Sequence, residues 1–202
     1  MKDIELVNFL TNPAFRGKQN FAKLALLDRD GVINIDYGYV HQKKDFVFLG
    51  ETLDALHELQ RLGYGLAICT NQSGIGRGLF SLDQFMELTN YMFEYLNDES
   101  IYVGRVYFCP HCPDRANFID VKHANSENCG CRKPSPGMLK RAMIDFDVRA
   151  ESSIMVGDSD TDVLAGMNAG VARSYKYSSM PRSEFNEYDW QSILEKERVH
   201  SE

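Results

Sequence analysis

Leu24 to Val32 reads LALLDRDGV, four apolar residues that stop at an Asp-Arg-Asp triplet and a glycine. A run this short, ended by a polar glycine turn, fits a buried strand better than a helix. The arrangement recurs: GLAIC at 65–69 runs into TNQSGIGRG, and IMV at 154–156 runs into GDSDTD. A further short run, VYF, occupies 106–108, and helical patterns lie near 52–62, 82–97, 136–146 and 161–168. Strands alternating with helices predict an α/β fold, a Rossmann-like parallel sheet flanked by helices.

Local signals bound the helices. Leu53, Leu56 and Leu59 share a face and Gly63 stops the first helix; Ser81 and Gln84 make a capping box for the second; Ser135 and Pro136 predict the N-cap and first residue of the third. From Cys109 to about Lys133 no period is visible, so 109–133 reads as an insertion. Residues 1–20 and 178–202 lie outside a core of about 24–172 and are read as peripheral, with Phe9, Leu10, Trp190 and Ile193 packing on the surface. The 202 residues are read as one domain, 1–202.

Composition narrows the partners. With 22 Lys and Arg against 29 Asp and Glu, a net charge of −7, the chain lacks the basic footprint that tracks a nucleic-acid backbone. No apolar run approaches the roughly 20 residues of a membrane helix, and the N-terminal stretch has no secretory core. A cytoplasmic monomer without membrane or nucleic-acid partners is expected. Clustered cysteines then suggest metal ligands rather than disulfides, while the isolated Cys69 reads as core.

In a parallel sheet, sites form beyond the carboxyl ends of the strands. Asp28 and Asp30 sit together at one such end, where one carboxylate can act as nucleophile and the other as general acid and base. Asp158 and Asp162 add oxygen at another, and hard anionic clusters suit Mg²⁺. Thr70, Asn71 and Ser73 lie in a glycine-rich turn able to cradle an anion, and Lys133 offers a positive charge for phosphoryl oxygens. Asp-x-Asp alone is commonly a turn, but three strand ends in register with a following Lys point to Mg²⁺-assisted phosphoryl transfer.

The insertion holds Cys109, His111, Cys112, His123, Cys129 and Cys131, and tetrahedral Zn²⁺ takes four ligands. Spacing alone favours Cys109 and Cys112 with Cys129 and Cys131. His123 reads as a solvated loop residue. A closed set of four protein ligands marks a structural zinc, which would fix Arg132 and Lys133 directly after Cys131.

DRDGV at 28, TNQSG at 70, Lys133 in CRKP and GDSDTD at 158 resemble the four motifs of the haloacid dehalogenase superfamily. Within it, DRDGVINIDYGYVH, TNQSGIGRG, CPH and CGCRKPSPGML resemble the heptose 1,7-bisphosphate 7-phosphatases, over about Leu24 to Val171. The resemblance implies that Asp28 attacks phosphorus while Asp30 protonates the leaving oxygen and then activates water. It implies Mg²⁺ on the Asp28 carboxylate, the Asp30 carbonyl and Asp158, supported by Asp162. Thr70, Asn71 and Lys133 would bind the phosphoryl group, and Asp36, Tyr37, Gly38, Tyr39, Gln72, Ser73 and Arg132 the sugar phosphate.

For the zinc the resemblance implies Cys109, His111, Cys129 and Cys131. The product would feed nucleotide-activated heptose for a surface polysaccharide. Ser159 departs from the family pattern, which carries Lys there; Arg77, Lys133 and Lys176 are the cations able to compensate. Histidinol-phosphate phosphatase is the rival enzyme reading, and a zinc-stapled binding module without catalysis the rival from another class; retention of Asp28, Asp30 and Lys133 speaks against the latter.

Overall fold

The structure is a computed structural model that describes residues 7–15, 21–112, 129–182 and 186–200. Most of the insertion, including His123, lies outside them. The strands are β1 (Asn8–Thr11), β2 (Lys23–Leu27), β3 (Tyr64–Asn71), β4 (Val103–Cys109), β5 (Ser153–Gly157), β6 (Arg173–Tyr177) and β7 (Glu187–Tyr188). They form one sheet in the order β1-β4-β3-β2-β5-β6-β7. All neighbours run parallel except β1, which pairs antiparallel with β4 at the edge. The expected parallel sheet is therefore mixed, because the Asn8–Thr11 segment returns along β4.

Strand periodicity sorts side chains between two cores. Ala25, Leu27, Leu66, Ile68, Val106 and Phe108 face one; Leu24, Leu26, Ala67, Cys69, Tyr107 and Cys109 face the other. Both faces of the central strands are buried, which is why they read as unbroken apolar runs. Helices α1 (Thr52–Arg61), α3 (Leu82–Asp98) and α6 (Trp190–Val199) contribute to the first core, and α4 (Gly137–Phe146) and α5 (Asp160–Ala169) to the second. A single turn, α2 (Ser73–Gly76), follows β3.

The Ser81–Gln84 capping box is present, with the Gln84 N–H donating to Ser81 Oγ at 3.2 Å and the Ser81 N–H to Gln84 Oε1 at 2.8 Å. Helix α4 differs from expectation, starting at Gly137 with Pro136 as N-cap and no side-chain cap. The loop uses the donors instead: Ser135 N–H goes to Arg132 O at 2.8 Å and Gly137 N–H to Gly130 O at 3.0 Å. A Cβ at Gly137 would collide with that Gly130 carbonyl, so the close approach of loop and helix needs glycine.

The C-terminal segment corrects the sequence reading more strongly. Trp190 and Ile193 are core residues, 2% and 0% exposed, not surface packing. Trp190 Nε1 donates to Thr52 Oγ1 at 3.1 Å, and that hydroxyl donates to Val32 O at 2.8 Å, tying α6 through α1 to the loop after β2. The second tie is Glu197, fully buried, whose carboxylate accepts from Tyr64 and Tyr175 hydroxyls at 2.5 Å and from Arg173 Nε and Nη2 at 2.6 Å. Burial opposes the Glu197 charge, but Arg173 and the two tyrosines outweigh it and hold the carboxyl below its ordinary range.

Such a group stabilises the fold above the unfolded glutamate pKa and loses that contribution as pH falls. Glu197→Ala should therefore lower unfolding free energy by about 3 kcal/mol near neutrality. In urea titrations the gap between wild type and Glu197→Gln should narrow below about pH 4. A gap that stays constant on acidification would contradict the buried-charge account.

Candidate active site

In chain order the strands grow to one side of β2 through β3 and β4, then resume on its other side with β5. This reversal opens a crevice beyond the carboxyl ends of the strands. Its lining is Asp28, Asp30, Asp36, Gly38, Tyr39, Thr70, Asn71, Gln72, Ser73, Gly74, Lys133, Asp158, Ser159 and Thr161. Of the residues expected to meet substrate, Tyr37 and Arg132 are not in that lining. Tyr37 is 63% exposed, and Arg132 is half-buried with Nη1 donating to His111 O at 3.3 Å.

Lys133 is the central charge. Its side chain is 1% exposed, and Nζ lies 2.9 Å from Asp28 Oδ1 and 2.5 Å from Asp162 Oδ1. Burial works against the ammonium, but the two carboxylates outweigh it and the Lys133 pKa is raised, so the charge is fixed. Asp28 is pushed upward chiefly by burial; Lys133 opposes this, while Asp162 and Asp158 add to it. Asp158 opens toward solvent, yet desolvation by the crevice walls, then the charge of Asp162, push its carboxyl up to about 6 against the pull of Lys133.

The backbone around these groups is pinned. Asp28 N–H donates to Val156 O at 2.9 Å, and Asp28 Oδ1 accepts from Arg29 N–H at 2.7 Å. Gly31, at φ +82°, lets the turn pass beneath Asp158, whose carboxylate would collide with any Cβ there. Asn71, expected at the phosphoryl group, lines the crevice and also holds Lys133. Its Oδ1 accepts from Lys133 N–H at 3.0 Å and its Nδ2 donates to Lys133 O at 3.2 Å, a reciprocal clamp that leaves one amide hydrogen for other contacts.

Asp30 is held by two residues that the sequence does not single out, Arg29 and Asn34, and by Gln72, expected at the sugar phosphate. Arg29 Nε and Nη2 reach its carboxylate at 2.9–3.2 Å, Asn34 Nδ2 donates to Oδ1 at 3.0 Å, and Gln72 Nε2 to Oδ2 at 3.0 Å. A signal existed: period-two alternation from Ala25 and Leu27 sends Arg29 toward the core, where a guanidinium needs an acid. Ser159, in place of a cation, caps α5, its Oγ bonding Asp162 Oδ2 at 2.5 Å. Lys176 pairs with Asp160 at 2.9 Å and is not among the lining residues.

Among the described residues, two groups of side chains could hold cations. Ligand atoms of Asp28, Asp158 and Asp162 lie within 4.8 Å of one another, as do those of Cys109, His111, Cys129 and Cys131. Cys112, which the CxxC spacing favoured, is buried but lies outside the second group. The cluster adjoins the crevice: Cys109 O accepts from Gln72 N–H at 2.8 Å and Pro110 O from Gly76 N–H at 3.0 Å.

A profile for HAD-hydrolase-like proteins matches residues 130–174. The D-glycero-β-D-manno-heptose-1,7-bisphosphate 7-phosphatase of Haemophilus influenzae is 45% identical over 149 residues, 74% of this chain and 78% of its own length. This chain belongs to the heptose bisphosphate phosphatase family of haloacid dehalogenase-like hydrolases. Within the family, a D-glycero-α-D-manno-heptose-1,7-bisphosphate 7-phosphatase of Photorhabdus laumondii is 38% identical over 78% of this chain and 84% of its own. The crystal structure of D,D-heptose 1,7-bisphosphate phosphatase from B. bronchiseptica, complexed with magnesium and phosphate, superposes with a TM-score of 0.71 at 28% identity, covering 88% of this chain and 99% of that one. Membership makes the chain a phosphoric monoester hydrolase, and no helix among the described residues is long and apolar enough to cross a membrane.

Protonated carboxyls are poor ligands, so protons would compete with a divalent cation for these carboxylates. Calorimetric Mg²⁺ affinity should fall steeply as pH drops through about 6, where Asp158 takes up its proton. Affinity independent of pH over that interval would contradict the assignment of the raised carboxyls to the metal site.

Proposed function

We propose that this phosphatase removes the 7-phosphate of D-glycero-D-manno-heptose 1,7-bisphosphate in the cytoplasm, through an aspartyl-phosphate on Asp28. The observation that carries the reading is the convergence of Asp28, Asp30 and Asp158 on one crevice with the fixed ammonium of Lys133, in a chain of this family. The same geometry disfavours a binding module without catalysis, since such a protein has no use for so dense a set of buried charges. Family relatives named for heptose bisphosphates favour that substrate over histidinol phosphate.

The Asp28, Asp158 and Asp162 oxygens fit a hard divalent cation, and the Gly31 turn leaves room for Asp158 beside Asp28. The family resemblance assigns Mg²⁺ to Asp28, the Asp30 carbonyl and Asp158, with Asp162, held by Lys133 and Ser159, in support. When bound, the ion neutralises phosphoryl oxygens and orients them for in-line displacement.

Asp28 Oδ1 is anchored by Lys133 and the Arg29 N–H, so Oδ2 is the attacking oxygen. As it bonds to phosphorus, the bond from phosphorus to the sugar oxygen breaks and Asp30 gives that oxygen its proton. Asp30, now a carboxylate, takes a proton from water that attacks the same phosphorus. The bond to Asp28 then breaks, releasing phosphate and restoring both aspartates. Lys133 and the Thr70 hydroxyl stabilise charge on the phosphoryl oxygens. Asp36, Gly38, Tyr39, Gln72 and Ser73 line the crevice that would take the sugar.

Cys109, His111, Cys129 and Cys131 would hold a structural Zn²⁺, which would fix the segment carrying Arg132 and Lys133. Metal content is expected at one zinc per chain, kept in Cys112→Ser and lost in Cys131→Ser. Zinc lost from Cys112→Ser but retained in His111→Ala would refute this ligand set.

Asp28→Asn should retain fold and zinc and lose Mg²⁺-dependent phosphate release; unchanged turnover would sink the nucleophile. Across α- and β-heptose 1,7-bisphosphates, histidinol phosphate and simple sugar phosphates, kcat/KM should be highest for a heptose bisphosphate. A higher value for histidinol phosphate would overturn the substrate.

A further inference from the structure

Arg29 is a fully buried guanidinium that no step above uses directly. It is 1% exposed, its Nη2 donates to Val40 O at 2.7 Å, and its carbon lies 5.6 Å from the Phe85 ring centroid. Phe85 is itself buried, so the guanidinium is packed in place as well as hydrogen-bonded. Its other contacts go to Asp30, both of whose oxygens it reaches. Asn34 and Gln72, also buried, each donate an amide hydrogen to one of those oxygens. Each Asp30 oxygen thus faces one amide and the guanidinium fork, and both are acceptors in this arrangement.

We propose that Arg29 is the positioning residue for Asp30, fixing its carboxylate in the orientation that takes a proton from the water hydrolysing the aspartyl-phosphate. The inference rests on the roles of Asp28 and Asp30 proposed above. Both steps need the Asp30 carboxyl aimed at the oxygen in line with phosphorus, and these donors fix that aim; a leaving group that needs no proton makes the second step the one that reads it. The bond to Val40 O adds a second consequence: one guanidinium fixes both the general base and the end of the 36–40 loop, whose Asp36, Gly38 and Tyr39 line the crevice. A residue that holds the base to the substrate loop governs proton transfer without touching the phosphoryl group.

The test uses the whole protein with Mg²⁺ and 4-nitrophenyl phosphate, whose phenolate leaves without needing a proton. On rapid mixing, Arg29→Met should release nitrophenolate in a burst stoichiometric with enzyme and then turn over about 100-fold more slowly than wild type. Acid quenching should recover phosphate bound to the protein. Arg29→Lys keeps a buried cation and loses the fork; it should show the same burst with a smaller slowing, and it carries the test if Arg29→Met does not fold. Unchanged turnover, or a burst lost together with turnover, would overturn the proposal. Asp30→Asn run in parallel separates the premises: full turnover in that variant removes the role of Asp30, whereas slow Asp30→Asn beside fast Arg29 variants refutes Arg29 alone.

Discussion

The ammonium of Lys133, buried between Asp28 and Asp162, is the constraint around which the site is built. A buried cation without partners carries a desolvation penalty of several kcal/mol, and two carboxylates crowded together without a cation would repel. Each therefore requires the others, and the three come from different places in the chain: the end of β2, the loop before α4 and the first turn of α5. Their meeting fixes the relative positions of those elements. Asn71 at the end of β3 completes the frame by clamping the Lys133 backbone on both sides. The ion triad and the sheet therefore support one another.

That frame explains why much of the architecture was legible in the residues. The central strands are buried on both faces, so LALL, GLAIC and IMV stand out as apolar runs, and each ends in residues too polar to stay inside. Caps were readable where a side chain makes them, as at Ser81 and Gln84, and misread where backbone does, as before Gly137. The edge elements were not legible. Asn8–Thr11, Arg173–Tyr177 and Glu187–Tyr188 are short and half-exposed, and α6 carries only one short apolar stripe, Trp190, Ile193 and Leu194, continued by Glu197, whose charge reads as surface. Long-range partners such as Tyr64 and Arg173 decide that Glu197 goes inside.

The site divides in the same way. Residues that must face the crevice were visible as carboxylates and small polar groups at strand ends, and Asp28, Asp30, Thr70, Lys133 and Asp158 are brought together there. Residues that act through others were hidden. Arg29 lies between two aspartates and was masked by them, and the clamp that Asn71 makes was hidden because its partner is 62 residues away. The Cys and His cluster was legible as a group, while the choice between His111 and Cys112 depended on how the loop folds, which spacing does not encode. The bond from Arg132 to His111 O ties that cluster to the residue preceding Lys133.

The central claim is that three strand ends form a single phosphoryl-transfer site aimed by Lys133. Its most direct test is a crystal structure with Mg²⁺ and trifluoroberyllate, an analogue of a phosphoryl group on a carboxylate. The account predicts beryllium bonded to Asp28, fluorides contacting Lys133 and Thr70, and Mg²⁺ on Asp28 and Asp158 with the Asp30 carbonyl. Trifluoroberyllate on any other side chain, or fluorides out of reach of Lys133, would contradict it.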